Sequence, residues 1–121
     1  MARPPADSLP AGLLQGTLDM LVLKALRLGP MHGWGIAQRI ETGSLQVLAM
    51  NEGSLYPALY RLERKGLLKA DWGVSELNRR VKLYRLTALG RKQLASERSR
   101  WQQLMEAMSG ILNSSHEESK A

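Results

Sequence analysis

The stretch from Gly53 to Leu68 constrains this chain more than any other. Leu55, Leu59 and Leu62 follow one another at steps of four and three, which sets them on one face of a helix. The other sides carry two tyrosines, Tyr56 and Tyr60, and three basic residues, Arg61, Arg64 and Lys65. Asn51 and Ser54 are both acceptable N-caps. Pro57 favours the later start, because a proline in the first turn loses no intrahelical hydrogen bond whereas one deeper in costs about 3 kcal/mol. Gly66 suits the position just past the helix end.

Two short strands follow, Leu68 to Val74 and Val81 to Leu86, separated by the turn-like run Ser75-Glu76-Leu77-Asn78-Arg79-Arg80. In the second strand Val81, Leu83 and Arg85 point one way and Lys82, Tyr84 and Leu86 the other. Neither face is cleanly apolar, as expected of an edge hairpin. Thr87 can cap a last helix running from Ala88 to about Leu112. In that helix Leu94, Trp101 and Met108 recur every seven residues, with Leu104 and Ile111 in the alternate position, a short coiled-coil-like seam.

Upstream, Leu14, Leu18, Leu21, Val22 and Ala25 recur at helical spacing from Leu13 and should stop near Gly29-Pro30. A second, shorter helix spans Gly33 to Glu41, closed by Thr42-Gly43-Ser44, with His32 placed to cap it. Residues 45–50 are apolar and suit one brief strand or an extended link. Residues 1–12 form a proline-bearing flexible arm, 13–86 one domain, 87–112 a long C-terminal helix and 113–121 a disordered tail.

The 121 residues suffice for one domain with one modest core, and 44% hydrophobic against 23% charged residues favours folding over disorder. No segment approaches the roughly 20 apolar residues that span a bilayer, so no membrane partner is expected. The polar N-terminus lacks an apolar signal core, so a cytoplasmic location is the expectation. There are no cysteines, and the two histidines are far apart in sequence without carboxylates at ligand spacing, so neither metal nor cofactor is expected. No nucleophile–base arrangement or phosphate loop points to an enzyme.

The charge is the more telling feature. The chain carries a net +6, and Arg61 to Lys92 alone hold ten Lys and Arg against three acids, a local +7. Clustered positive charge favours a polyanion through phosphate contacts and counterion release. A basic helix followed by a basic hairpin is how a winged helix-turn-helix grips DNA. The expected architecture is mainly α with a small β wing, a winged helix-turn-helix followed by a long C-terminal dimerisation helix.

The chain resembles the PadR family of bacterial transcriptional regulators over about residues 13–112. The resemblance is carried by Leu14-Gln15-Gly16-Thr17-Leu18, by His32-Gly33-Trp34 with Ile36, and by Gly53 to Pro57 with Arg61-Leu62-Glu63. Arg80-Val81-Lys82-Leu83-Tyr84-Arg85-Leu86-Thr87 with Gly90 completes it. One departure is Gly35, where many relatives carry an acidic residue; it weakens the second helix slightly. With one helix after the wing, the chain looks like the short branch of the family. The resemblance implies a homodimeric repressor on double-stranded promoter DNA, its third helix in the major groove and its wing along the phosphates.

The residues agree with that implication. Ser54, Tyr56, Pro57, Tyr60 and Arg61 lie in the part of the helix that meets base edges. Arg64 and Lys65 suit phosphate, and Arg79, Arg80 and Lys82 suit phosphate or minor-groove contact. Each has a plainer alternative. Tyr56 can pack against the first helix, Arg61 can pair with an acid, and Tyr84 belongs more naturally to the hairpin core. The dimer interface is expected to join Leu94, Trp101, Leu104, Met105, Met108 and Ile111 to Leu14, Leu18 and Leu21 of the first helix. Trp101 is either a buried dimer anchor or, with Met105, the wall of a pocket for a small planar aromatic effector, which the family resemblance permits. The rival functions are a winged-helix protein-interaction module without specific DNA binding and a nonspecific chromosome-associated protein.

Overall fold

A computed structural model of the chain describes residues 11–45, 48 and 52–114, the side chains of 11–15 and 52 excepted. The first helix, α1 (Ala11–Ala25), is followed by a two-residue strand, β1 (Met31–His32), and by α2 (Gly33–Gly43). Then come α3 (Glu52–Arg64), the hairpin β2 (Leu68–Val74) and β3 (Arg80–Leu86), and α4 (Ala88–Leu112). The three strands form one antiparallel sheet in the order β1-β3-β2. The expected domain boundaries at 12 and 113 fall beside residues outside the description, 1–10 and 115–121.

The core lies where α1, α2 and α3 cross. Leu55, Leu59 and Leu62 of α3 are each at most 2% exposed and meet Val22, Leu23, Leu26 and Ile36, so the stripe read from the sequence is the buried one. Ala58, fully buried between Leu55 and Leu59, leaves no polar residue on that face. The helix stops through paired hydrogen bonds. Leu67 N–H donates to the Leu62 carbonyl and Gly66 N–H to that of Glu63, each at 3.0 Å. Gly66 takes φ +76°, a left-handed turn that favours glycine.

Three details depart from the sequence reading. The third helix starts at Glu52, so Ser54 lies inside it rather than capping it, and Asn51 lies outside the described residues. Pro57 therefore sits in the second turn. The carbonyl of Gly53 loses the bond Pro57 cannot give, but both residues are exposed, so water can replace it. The strand β1 was not anticipated, because two residues carry no periodicity; only pairing of Met31 with Tyr84 and His32 with Leu83 defines it. Most of residues 45–50 lie outside the description, and Leu45 itself is in a left-handed turn at φ 55°.

The caps are as the sequence implies. His32 Nδ1 accepts from Gly35 N–H at 3.0 Å at the start of α2. Thr87 Oγ1 accepts from Gly90 N–H at 3.0 Å at the start of α4. The wing turns through Ser75–Asn78, with Asn78 N–H on the Ser75 carbonyl at 2.9 Å and Asn78 at φ 57°, the pattern of a three-residue hairpin loop.

Gly90 is buried at the junction of α4 with the wing. A Cβ there would collide with the Leu67 carbonyl oxygen and the Leu86 side chain. Gly90→Ala should therefore destabilise the fold by about 1–3 kcal/mol. Thr87→Ala, which removes the cap, should cost about 1 kcal/mol. Both are read as lower urea midpoints at unchanged slope.

Candidate nucleic-acid interface

The first turns of α3, the start of α2 and the wing enclose one open cleft of about 530 Å³. His32, Trp34, Tyr56, Trp72, Arg79 and Arg80 line it, with buried Tyr84 at the bottom. The chain has only six aromatic residues of the Trp and Tyr types, and four of them meet here. Trp34 and Trp72 stand out from the surface at 65% and 62% exposure. The Arg80 guanidinium lies 4.4 Å from the centre of the Trp72 ring, a cation–π contact that holds both side chains extended from the wing. Aromatic faces interleaved with guanidinium groups form a surface suited to the sugars and phosphates of nucleic acid.

The proposed contacts fall into two groups. Tyr60, at 60% exposure, and exposed Pro57, Arg64 and Lys65 lie on the outer side of α3 and beyond its end, with Arg64 5.7 Å from the Tyr60 ring centre. Arg79 and Arg80 are exposed at the wing. Ser54 is half-buried. Tyr56 does pack, but against α2 rather than α1: a Cβ on Gly33 would come within 2.7 Å of its hydroxyl. Its ring remains 43% exposed, so one edge still faces the cleft.

Two cations expected at the interface each meet a carboxylate. Arg61 Nη2 pairs with Asp19 Oδ1 of α1 at 2.7 Å, with both side chains less than a third exposed. Of the two readings of Arg61, a contact at base edges or a pair with an acid, the ion pair is the one seen, because helix geometry turns the side chain toward α1. Lys82 of β3 also lines the cleft, with its ammonium 3.4 Å from Glu63 Oε1 and 5.6 Å from the Tyr84 ring centre. Sequence reading passed over Trp34 and Trp72. Their signal was an exposed aromatic next to a helix cap and another within a strand of mixed polarity, which alternation alone does not distinguish from core.

The far half of α4 presents a second surface. Trp101, Leu104, Met105, Met108 and Ile111 are exposed, from 37% at Trp101 to 68% at Ile111. Trp101 separates two grooves against α1, of about 380 Å³ beside Gly16, Thr17 and Leu104 and about 310 Å³ beside Leu21, Lys24 and Met105. Leu94 and Leu18 do not join that surface. At 4% and 3% exposure they belong to the chain's own core, into which α4 packs by its first turns. Leu21 is half-buried against the core, and the side chain of Leu14 lies outside the description.

Residues 22–96, more than half of the chain, match the model of the transcriptional regulator PadR-like family. The chain belongs to that family. A PadR family transcriptional regulator from Eggerthella lenta is similar in structure at TM-score 0.70 and 31% identity, over 84% of this chain and 86% of that one. A transcriptional regulator from Clostridium thermocellum is similar at TM-score 0.73 and 26% identity, over 84% and 95%. In sequence, 95 residues are 30% identical to an uncharacterized protein of Lysinibacillus sphaericus, covering 78% of this chain and 86% of the other. The PadR-like chain is thus a winged-helix transcriptional regulator, of a family that binds DNA and is not one of enzymes. No helix among the described residues is long and apolar enough to cross a membrane.

Three stability measurements check the geometry of this PadR-like interface. Asp19→Ala strands the half-buried Arg61, whose Nε already lacks a hydrogen-bond partner, and should cost about 1–3 kcal/mol. Arg64→Ala should leave the thermal midpoint unchanged, since its side chain is exposed. Burial raises the Tyr84 phenol above its ordinary 10.0, with Glu63 and Tyr56 adding to the rise and Lys82 opposing it. The folded state then holds that proton more tightly than the unfolded one. The stability it contributes is intact below pH 10.0 and is lost as pH rises toward the folded value. Tyr84→Phe should flatten that alkaline decline in denaturation midpoints.

Proposed function

We propose that this PadR-like regulator is a sequence-specific repressor that binds promoter DNA as a homodimer in the cytoplasm of a bacterium. The observation that carries the reading is the continuity of one aromatic and cationic surface from α3 through the start of α2 to the wing. Ser54, Pro57 and Tyr60, with the free edge of Tyr56, meet base edges in the major groove. Arg64, Lys65, Arg79 and Arg80 hold phosphates. Trp34 and Trp72 flank the strand that crosses between helix and wing. Arg61 and Lys82 serve the fold that aims these groups.

A gel-shift titration on the chain's own upstream DNA against random DNA tests the specificity. Specific retention supports the reading, and equal retention of both overturns it in favour of nonspecific binding. Arg79→Ala with Arg80→Ala should weaken binding to all sequences and reduce the slope of log affinity against log salt by roughly two units, about one per phosphate contact. Wild-type behaviour of the double variant at several salt concentrations removes the wing from the interface. A protein-interaction module predicts no DNA retention at all. Two exposed tryptophans beside arginines that meet no carboxylate favour DNA over that alternative.

The homodimer rests on the exposed stripe from Trp101 to Ile111, with α1 completing the surface. A two-fold pair would set two copies of α3 at half-sites about 34 Å apart. Truncation after Arg100 keeps Leu94 in the core and removes the stripe. It should give a folded monomer in sedimentation with weakened operator binding, and a wild-type chain that is monomeric at micromolar concentration overturns the dimer. The grooves on either side of Trp101 suit a planar aromatic effector once a second copy closes them. With Trp34 and Trp72 replaced by Phe, Trp101 is the only indole. Quenching of its fluorescence by planar aromatic compounds supports the pocket, and no quenching leaves Trp101 a structural anchor.

A further inference from the structure

Three arginines converge at the base of the wing, at the far end of the sheet from the DNA-facing cleft. Arg91 and Arg98 lie on α4 and Arg27 follows α1, and all three line one groove of about 300 Å³. Its floor is Leu86, Leu94 and Ala95, the first two of them core residues. Arg91 and Arg98 are two helical turns apart, about 10 Å at 1.5 Å per residue, so the apolar floor lies between two guanidinium groups with a third across from it. The seven residues of β3 separate this groove from Arg80 by about 20 Å.

The three are exposed, and none of their guanidinium groups has a hydrogen-bond or ion-pair partner among the described residues. Other cations of the chain are engaged. Arg61, Lys82, Arg85 and Arg100 each meet a carboxylate, and Arg39 donates to the Ala25 carbonyl. Three unneutralised cations around one concavity repel one another, and an anion between them relieves the repulsion. A guanidinium fork matches phosphate oxygens with two parallel hydrogen bonds. The volume lies at the small end of ligand pockets.

We infer that this groove binds a phosphorylated small molecule of nucleotide size. Its phosphates lie against Arg27 and Arg91, and its flat body lies over Leu86, Leu94 and Ala95. The inference does not depend on DNA binding, since it uses none of the residues of the cleft.

The test is calorimetric titration of the full chain with pyrophosphate, ADP and adenosine at fixed ionic strength. Arg98 also borders the groove beside Trp101, so Arg27 and Arg91 are the residues to change. Pyrophosphate and ADP should bind saturably, ADP more tightly, and adenosine should not. Arg27→Ala and Arg91→Ala should each weaken ADP by roughly tenfold or more, the loss of a charge-assisted hydrogen bond. Arg91→Lys, which keeps the charge and loses the fork, should fall between. The Arg79→Ala, Arg80→Ala double variant should bind ADP like wild type. Circular dichroism of each variant confirms that it is folded. Absence of saturable binding overturns the site, as does loss in the wing variant instead of the groove variants. Pyrophosphate binding as tightly as ADP overturns the role of the apolar floor.

Discussion

One threonine joins the parts of this molecule that must act together. Thr87 Oγ1 accepts from Gly90 N–H, capping α4, and stands 2.7 Å from the Gly66 carbonyl, to which it donates. Its backbone N–H donates to the Leu67 carbonyl at 3.1 Å. Gly66 and Leu67 end α3 and lead into the wing. A single side chain thus fixes the end of the reading helix, the base of the hairpin and the start of the long helix. Gly90 allows this because anything larger would strike the Leu67 carbonyl. Whatever moves α4 moves the base of the wing with it, since no flexible link intervenes between Leu86 and Ala88.

The Arg61–Asp19 pair plays the corresponding part at the other side of α3. The apolar stripe fixes how deeply α3 sits on α1, but leucines slide past one another more readily than a 2.7 Å charge-assisted contact permits. Rotation of α3 about its axis would break that contact and bury Tyr60 or Arg64 in place of Leu59 or Leu62. The orientation of the exposed side of α3, on which any reading of bases depends, follows from an ion pair and a core stripe acting together.

Local rules explain what the sequence made legible. Gly66, Thr87 and His32 act through hydrogen bonds within a few residues, so their roles as helix stop and caps could be read from position alone. The wing strands were visible to within one residue because a turn-rich run separates two apolar alternations. What stayed hidden depends on contacts distant in sequence. The partner of Arg61 is 42 residues away, and β1 exists only through β3. Leu94 keeps the heptad spacing of Trp101 and Met108 yet points into the core, because periodicity reports a face and not what covers it. Trp34 and Trp72 read as ordinary apolar residues until the fold left them exposed on either side of one cleft.

The fold also redistributes the charge that first suggested a polyanion. Within the basic segment Glu63 is taken by Lys82 and Asp71 by Arg85, while Asp19 of α1 neutralises Arg61. These pairs lie between α3 and the sheet, across the hairpin and between α3 and α1. Among the cations that meet no carboxylate, two groups each line or border one concavity. Arg64, Lys65, Arg79 and Arg80 remain exposed on α3 and the wing, and Arg27, Arg91 and Arg98 remain exposed at the wing base. A single excess read along the chain thus contributes to two separate positive surfaces. The first has aromatic walls and the length of a nucleic-acid contact. The second has a small apolar floor directly behind Leu86, one residue from Thr87. An anion bound there would press on the same junction that sets the angle between wing and α4.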